Sequence, residues 1–429
     1  MQKLLNFAKK HKAYLIVFSF TLIGHAMGFG REVLIAYQFG ASSISDGILV
    51  GIAPVTLFLG MIGVGYSNAA MARIKTPDNT QVIEQSLHPI LVVGALAAVF
   101  FYGFNEAIIG FTAPGVKGEG YVLAITLVKL SAIGAGVLGL YYWFRGIRHL
   151  EGHFLRVSIS ELMPNIGIFI GILLLYKVYG VMGIALGITL GFVLQLLWVF
   201  DYKRVNIKGF GVGSLLSADN RLIYRNTFYG ALGMSGVVVE LFVDRYFAST
   251  LGEGNVASIN FAYKVMTLPL YTAVFAIVTV MFPKMIAIRD DAQAFNQAKN
   301  QINGMLIAFC VLCTLVFVSF SSQIIALLFG YGLFDDEDVG KTAPLLSIYA
   351  IGLLAHALVM FHCKARYALE DFRIPLIAGA VAALVNLSLD FALVDSFGTQ
   401  GLAWATTIAA AVNAGIVMFV KPPKSSRTA

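Results

Sequence analysis

Tyr179-Gly180-Val181-Met182-Gly183-Ile184-Ala185 opens an apolar run that continues to Phe200. Near the other end of the chain, Phe397-Gly398-Thr399-Gln400-Gly401-Leu402-Ala403 opens a second one that continues to Val420. The two lie 218 residues apart, Gly401 against Gly183. Two further pairs keep nearly that interval: Leu150-Glu151 with Leu369-Glu370, 219 apart, and Phe39-Gly40 with Leu251-Gly252, 212 apart. Each match is short, but three in the same order at a near-constant offset mark an internal duplication.

What is duplicated is a set of membrane spans. Hydrophobic residues make up 58% of the 429 and charged residues only 12%, too few charges to coat a soluble domain. Apolar runs long enough to cross a hydrocarbon core of about 30 Å as helices recur along the whole chain. Between charged or Gly/Pro-rich breaks they predict helices near 13–38, 47–72, 88–110, 121–144, 157–176 and 180–200. Six more follow near 227–250, 256–283, 303–330, 343–363, 374–394 and 398–420. The expected fold is therefore an all-α integral membrane protein of about twelve transmembrane helices. They form an N-terminal lobe at 1–200, a basic cytoplasmic linker at 201–225, a C-terminal lobe at 226–421 and a tail at 422–429. The first helix, with His25, Arg31 and Glu32 and no small-residue cleavage site, reads as a span and not as a signal peptide.

Charge sets the orientation. With a cytoplasmic amino terminus, 23 of the 30 Lys and Arg fall on the cytoplasmic side, against Lys117, Lys177 and Lys341 on the other, where the acidic run Asp335 to Asp338 also lies. Both termini are then cytoplasmic. The net charge of +7 is spread over several loops that face an anionic leaflet, so it calls for no nucleic-acid partner. Six helices per half make the repeats parallel, related by an axis along the membrane normal, the arrangement of two lobes that rock about a central cavity. Cys310, Cys313 and Cys363 lie in or beside apolar segments and suggest neither a disulfide nor a metal site, and no cofactor is indicated.

Charges inside the predicted spans are the functional candidates, because one at the bilayer centre costs on the order of 3 kcal/mol unless it meets water or a partner. They are Arg31, Lys129, Arg245 and Lys264 among the bases, and Glu32, Glu161, Glu240, Asp244 and Asp390 among the acids, with Asp46 at the start of the second helix. His25 adds a polar group to the first. Arg and Lys at membrane depth suit an anionic group such as a pyrophosphate. The membrane acids could bind a proton or sodium for coupling, or the membrane potential could act directly. Arg148, His149, Glu151 and His153 form the one dense polar group an embedded enzyme might use, and their position suggests a solvated loop, so a transporter is expected and not an enzyme.

Five segments resemble one family. Gly28-Phe29-Gly30-Arg31-Glu32, continuing through Phe39-Gly40-Ala41 to Asp46, is the first, and Val243-Asp244-Arg245-Tyr246-Phe247-Ala248-Ser249 with Tyr263-Lys264 and Leu268-Pro269 the second. Leu327 to Phe334 with Tyr349 to Leu353, Ala365 to Pro375, and Ala113-Pro114-Gly115 complete the set. They are similar to the MurJ (MviN) lipid II flippases of the multidrug/oligosaccharidyl-lipid/polysaccharide exporter superfamily.

The resemblance implies a bacterial inner-membrane protein that moves an undecaprenyl-pyrophosphate-linked saccharide from the inner to the outer leaflet by alternating access. It places Arg31 and Lys264 on the pyrophosphate with Asp46 nearby; Lys264 stands where the family usually has arginine. Asp244, Arg245 and His25 complete the expected substrate-binding set. The alternatives are a flippase for an exopolysaccharide or O-antigen repeat unit and a drug/cation antiporter of the same superfamily. The expected partners are the lipid-linked substrate and the bilayer, with a monomer the simplest assembly.

Overall fold

The computed structural model describes residues 12–76, 78–205 and 210–420, with the side chains of 12–17, 58, 59, 135, 232–239 and 283 outside the description. The expected tail at 422–429 lies outside the described residues. All described elements are helical. In the first part of the chain they are α1 (Lys12–Phe39), α2 (Ser43–Ile74), α3 (Thr80–Gly103), α4 (Asn105–Thr112), α5 (Gly118–Leu150), α6 (Phe154–Ser160), α7 (Met163–Ile170), α8 (Tyr176–Tyr179), α9 (Val181–Val199) and α10 (Val212–Leu215). Then come α11 (Ala218–Thr250), α12 (Asn255–Pro269), α13 (Phe275–Ala287), α14 (Ala292–Ser319), α15 (Ser321–Phe329), α16 (Asp336–Ala368) and α17 (Arg373–Phe419).

An all-helical fold is what lipid demands, since a helix satisfies its backbone polar groups internally. Eight helices among the described residues are long and apolar enough to cross a bilayer, nine when the bent pair Gly118–Gly134 and Gly136–Leu150 counts as one span. At 47 residues, α17 is long enough for two crossings and is divided at Gly398, whose φ of 53° only glycine adopts readily.

The chain forms two compact units. The first comprises residues 1–38 and 43–235, the second 39–42 and 236–429, so the division falls inside α11. In the first unit α2 and α5 touch backbone to backbone: a Cβ on Gly47 would lie 2.4 Å from the Gly120 carbonyl oxygen. Small residues let membrane helices approach this closely, where dispersion replaces the absent hydrophobic drive. The segment after α9 is held to the same unit. Asn220 donates to the Gln85 carbonyl at 2.9 Å, Arg73 pairs with Asp219, and His88 meets Ser214 at 2.5 Å.

The duplication persists at the level of single contacts. Gly180 and Gly398 share one backbone conformation, φ 58° with ψ −142° and φ 53° with ψ −134°. Gly183 lies against the Leu175 carbonyl and Gly401 against the Leu393 carbonyl, so in each unit the chain folds back at the glycine turn. Arg148 donates from Nε to the Val199 carbonyl at 3.0 Å and from Nη1 to Glu151 at 2.7 Å. Arg366, 218 residues later, donates from Nε to Val417 at 2.6 Å and from Nη1 to Asp371 at 2.8 Å. Each guanidinium caps open carbonyls at a helix C-terminus, that of α9 in the first unit and of α17 in the second, where the helix dipole favours a cation. Arg148 is thus no part of a solvated loop: it is 5% exposed, and Arg204 and Asp201 join the same cluster.

Candidate functional site

The second unit holds a cavity with polar groups on its wall. Helix α11 places Glu240 and Asp244 one turn apart on one face, α12 supplies Asn260 and Tyr263, α16 supplies Tyr349, and α17 supplies Thr406 from beyond its glycine turn. Arg245 also lines this space, whose water-accessible volume is about 70 Å³. Asp244 accepts from the Thr406 hydroxyl at 3.4 Å on Oδ2, while its Oδ1 is buried without a hydrogen-bond partner among the described residues.

Behind Asp244 the first half of α17 contributes Asn386 and Asp390, again one turn apart, and both adjoin the Asp244 carboxyl. Both are 0% exposed. Among the described residues neither oxygen of Asp390 meets a donor, and Asn386 lies beside Asp244 without bonding geometry to it or to any other. Two buried carboxyls with an unused amide and a hydroxyl form a cluster of hard oxygen donors whose charge needs compensation. A proton or a small monovalent cation fits that donor set; the nitrogen and sulfur ligands favoured by transition metals are missing from it. Among the described residues no group of three or more His, Cys, Asp or Glu side chains is poised to hold a metal ion.

The six residues singled out from sequence divide evenly between the units. Asp244, Arg245 and Lys264 belong to the second, where Lys264 is half-buried on α12 next to cavity-lining Tyr263. His25, Arg31 and Asp46 belong to the first. Arg31 pairs with its neighbour Glu32, which is fully buried, while the arginine keeps 23% of its side chain exposed. Its Nε is buried with no hydrogen-bond partner among the described residues. Asp46 is 2% exposed in the first turn of α2, where the helix dipole stabilises a carboxylate. His25 is half-buried on α1. Sequence alone singles out neither Asn386 nor Thr406, and it names Asp390 only among the charges within the predicted spans. The available signal was an Asn and an Asp four residues apart in an otherwise apolar helix.

A family profile described as lipid II flippase MurJ matches residues 35–427. The chain belongs to the MurJ lipid II flippase family. Among its relatives, a probable lipid II flippase MurJ of Thermotoga maritima is 27% identical over 398 residues, covering 90% of this chain and 80% of that one. A lipid II flippase MurJ of Burkholderia cenocepacia is 25% identical over 435 residues, with 95% and 83% covered. A solved lipid II flippase MurJ in an inward closed conformation superposes with a TM-score of 0.79 at 21% identity, covering 94% of this chain and 87% of that one. An inward-facing multidrug resistance MATE transporter of the MOP superfamily gives 0.74 at 17% identity, with 93% and 95% covered, so the fold is common to both groups. The family match bears out the resemblance carried by the five segments, and with it the all-α membrane fold.

Proposed function

We propose that this chain is a flippase for a polyprenyl-pyrophosphate-linked saccharide, with lipid II, the substrate in the names of its relatives, as the leading cargo. The observation that carries this is the family match over residues 35–427. Cations at membrane depth, Arg31, Arg245 and Lys264, agree with an anionic substrate better than with a cationic drug. The direction is from the cytoplasmic to the outer leaflet of a bacterial inner membrane, both termini are cytoplasmic, and two lobes alternate in access. Arg31 and Lys264 hold the pyrophosphate, Arg245, Asp46 and His25 shape its surroundings, and Asp244 joins Asn386, Asp390 and Thr406 as the site of a coupling proton or monovalent cation. Such a cation would compensate the paired carboxyls, and its release would change the electrostatics of the second unit.

Depletion of the protein in its host, followed by extraction of carrier lipids, tests the cargo. Accumulated lipid II on the cytoplasmic side supports the assignment. Another carrier-linked repeat unit transfers it to the exopolysaccharide or O-antigen class, and no accumulated carrier lipid overturns it.

A further inference from the structure

We propose that Tyr142, Arg145 and Glu161 in the first unit form a subsite for the saccharide of the cargo, distinct from the residues assigned to its pyrophosphate. The proposal rests on the flippase reading and adds to it the place where the sugar is recognised.

Three observations carry it. The first is an ion pair near the ends of membrane segments that keeps part of its surface exposed. Arg145 Nε donates to Glu161 Oε1 at 3.0 Å, with the arginine side chain 22% and the glutamate 45% exposed. A charge pair serving only to pack helices would be expected to be covered, because an exposed pair is screened and adds little to stability. The bond uses one N–H of the guanidinium, and the guanidinium has four further N–H donors and the carboxylate a second oxygen with which to meet a ligand.

The second observation is the frame that presents the pair. Glu161 stands in the break between α6 and α7, and Tyr141 on α5 meets Ser160 at the end of α6 across 3.2 Å, both side chains buried. Tyr142 lies one turn before Arg145, with its ring packed against α2; a Cβ on Gly63 would lie 2.1 Å from that ring. An aromatic ring beside a forked cation and a carboxylate offers a saccharide what it binds: an apolar face for its C–H groups, donors for its oxygens and an acceptor for its hydroxyl and acetamido hydrogens.

The third observation is the duplication. Arg148 and Arg366 occupy equivalent places on α5 and α16, and the same interval sets Met360, Cys363 and Gly379 against Tyr142, Arg145 and Glu161. The second unit builds the same fold without ring, cation or acid. A polar group present in only one copy of a repeated scaffold is not what holds the scaffold together. Arg145 lies five residues before the end of α5, about 7.5 Å along its axis, at the cytoplasmic end in the proposed topology, where a cytoplasmic headgroup would enter.

The test measures binding of two lipids to the purified full chain in nanodiscs by native mass spectrometry: lipid II, and undecaprenyl pyrophosphate without sugar. Glu161→Gln, Arg145→Gln and Tyr142→Ala are expected to weaken lipid II by about ten- to a hundred-fold, as loss of charge-assisted bonds implies, and to leave the bare pyrophosphate unchanged. Arg31→Ala should weaken both. Gly63→Ala, which displaces the ring without removing a polar group, should weaken lipid II by about three- to ten-fold. Equal losses for the two lipids, or none for either, overturn the subsite. Wild-type protein that binds neither lipid overturns the flippase reading itself, and the subsite with it. If Arg145→Gln fails to elute as a folded species, Glu161→Gln and Tyr142→Ala decide alone, because Glu161 is 45% exposed on its side chain and Tyr142 carries no charge.

Discussion

The two units repeat a scaffold and differ in its chemistry. Both turn at a glycine with positive φ, Gly180 or Gly398, and both cap the helix that follows the turn with an arginine, α9 with Arg148 and the end of α17 with Arg366. Along α17 the second unit then buries Asn386, Asp390 and Thr406, where the first has Gly167, Ile168, Gly171, Ile172 and Ile188 along the matching stretch. Conversely the first unit has Arg145 and Glu161 where the second has Cys363 and Gly379. Elements kept in both copies hold the fold, and those confined to one are free to bind something.

The sharpest way to break this comparison is to make the second unit resemble the first. Asp390→Ile should reduce transport by more than about a hundred-fold while leaving thermal stability equal or higher, because replacing a buried uncompensated carboxyl with a hydrocarbon is often neutral or stabilising by about 1–4 kcal/mol. Flipping in proteoliposomes and a melting scan of the same preparation check both halves. Coincident loss of folding would make Asp390 part of the scaffold. The wild type should also melt higher in sodium than in an impermeant organic cation if the cluster binds sodium, and Asp390→Ile should abolish the difference.

Next in expected size is Arg31. Arg31→Ala should abolish complementation while the protein still reaches the membrane, and Arg31→Lys should keep part of the activity, because lysine retains the charge but not the fork. Normal flipping by well-expressed Arg31→Ala would reduce the pair with Glu32 to packing. Smaller and symmetric effects belong to the scaffold. Gly180→Ala and Gly398→Ala should each cost about 1–3 kcal/mol by forcing a side chain into a positive-φ backbone region that essentially only glycine occupies. Melting temperatures that fall together would support the repeat, and a fall at one site alone would mean the turns are not equivalent.

The smallest effect should distinguish the two arginine caps. Asp201 is an acid of the first cap, and its carboxyl is held below the ordinary range, first by the Lys203 amide and then by Arg148. Its stabilising contribution is present above the unfolded-state pKa and disappears as pH falls through the lower folded-state value. Asp201→Asn should therefore destabilise slightly at neutral pH and converge with wild type in acid, as pH-dependent melting would reveal.

The helix register was legible because lipid leaves the backbone one economical solution and because spans announce themselves by length and apolarity. The predicted helices at 47–72 and 121–144 became α2 and α5 with ends extended by a few residues, since helices run past the hydrocarbon into polar flanks, and the one at 180–200 became α9 within a residue at each end. The pair predicted at 374–394 and 398–420 emerged as α17 with its turn at Gly398. Asp244 was visible as a charge in an apolar run. Asn386 and Thr406 were not, because a neutral amide or hydroxyl in a membrane helix is ordinary until its neighbours are known.

Sequence by itself determined the membrane class, the duplication, the family and the list of charges that lipid would not tolerate without cause. Those follow from one-dimensional quantities: hydropathy over some twenty residues, a constant interval, and charge. Only the tertiary structure decided which charges meet. It joined Arg145 to Glu161 across a helix break, turned Arg148 and Arg366 onto carbonyls about fifty residues away, and set Asp244 beside an acid from a helix that begins more than a hundred residues later. The physical reason is that a buried charge is governed by what lies within a few ångströms, and in a helical membrane bundle that is set by the packing of distant helices and not by neighbours along the chain.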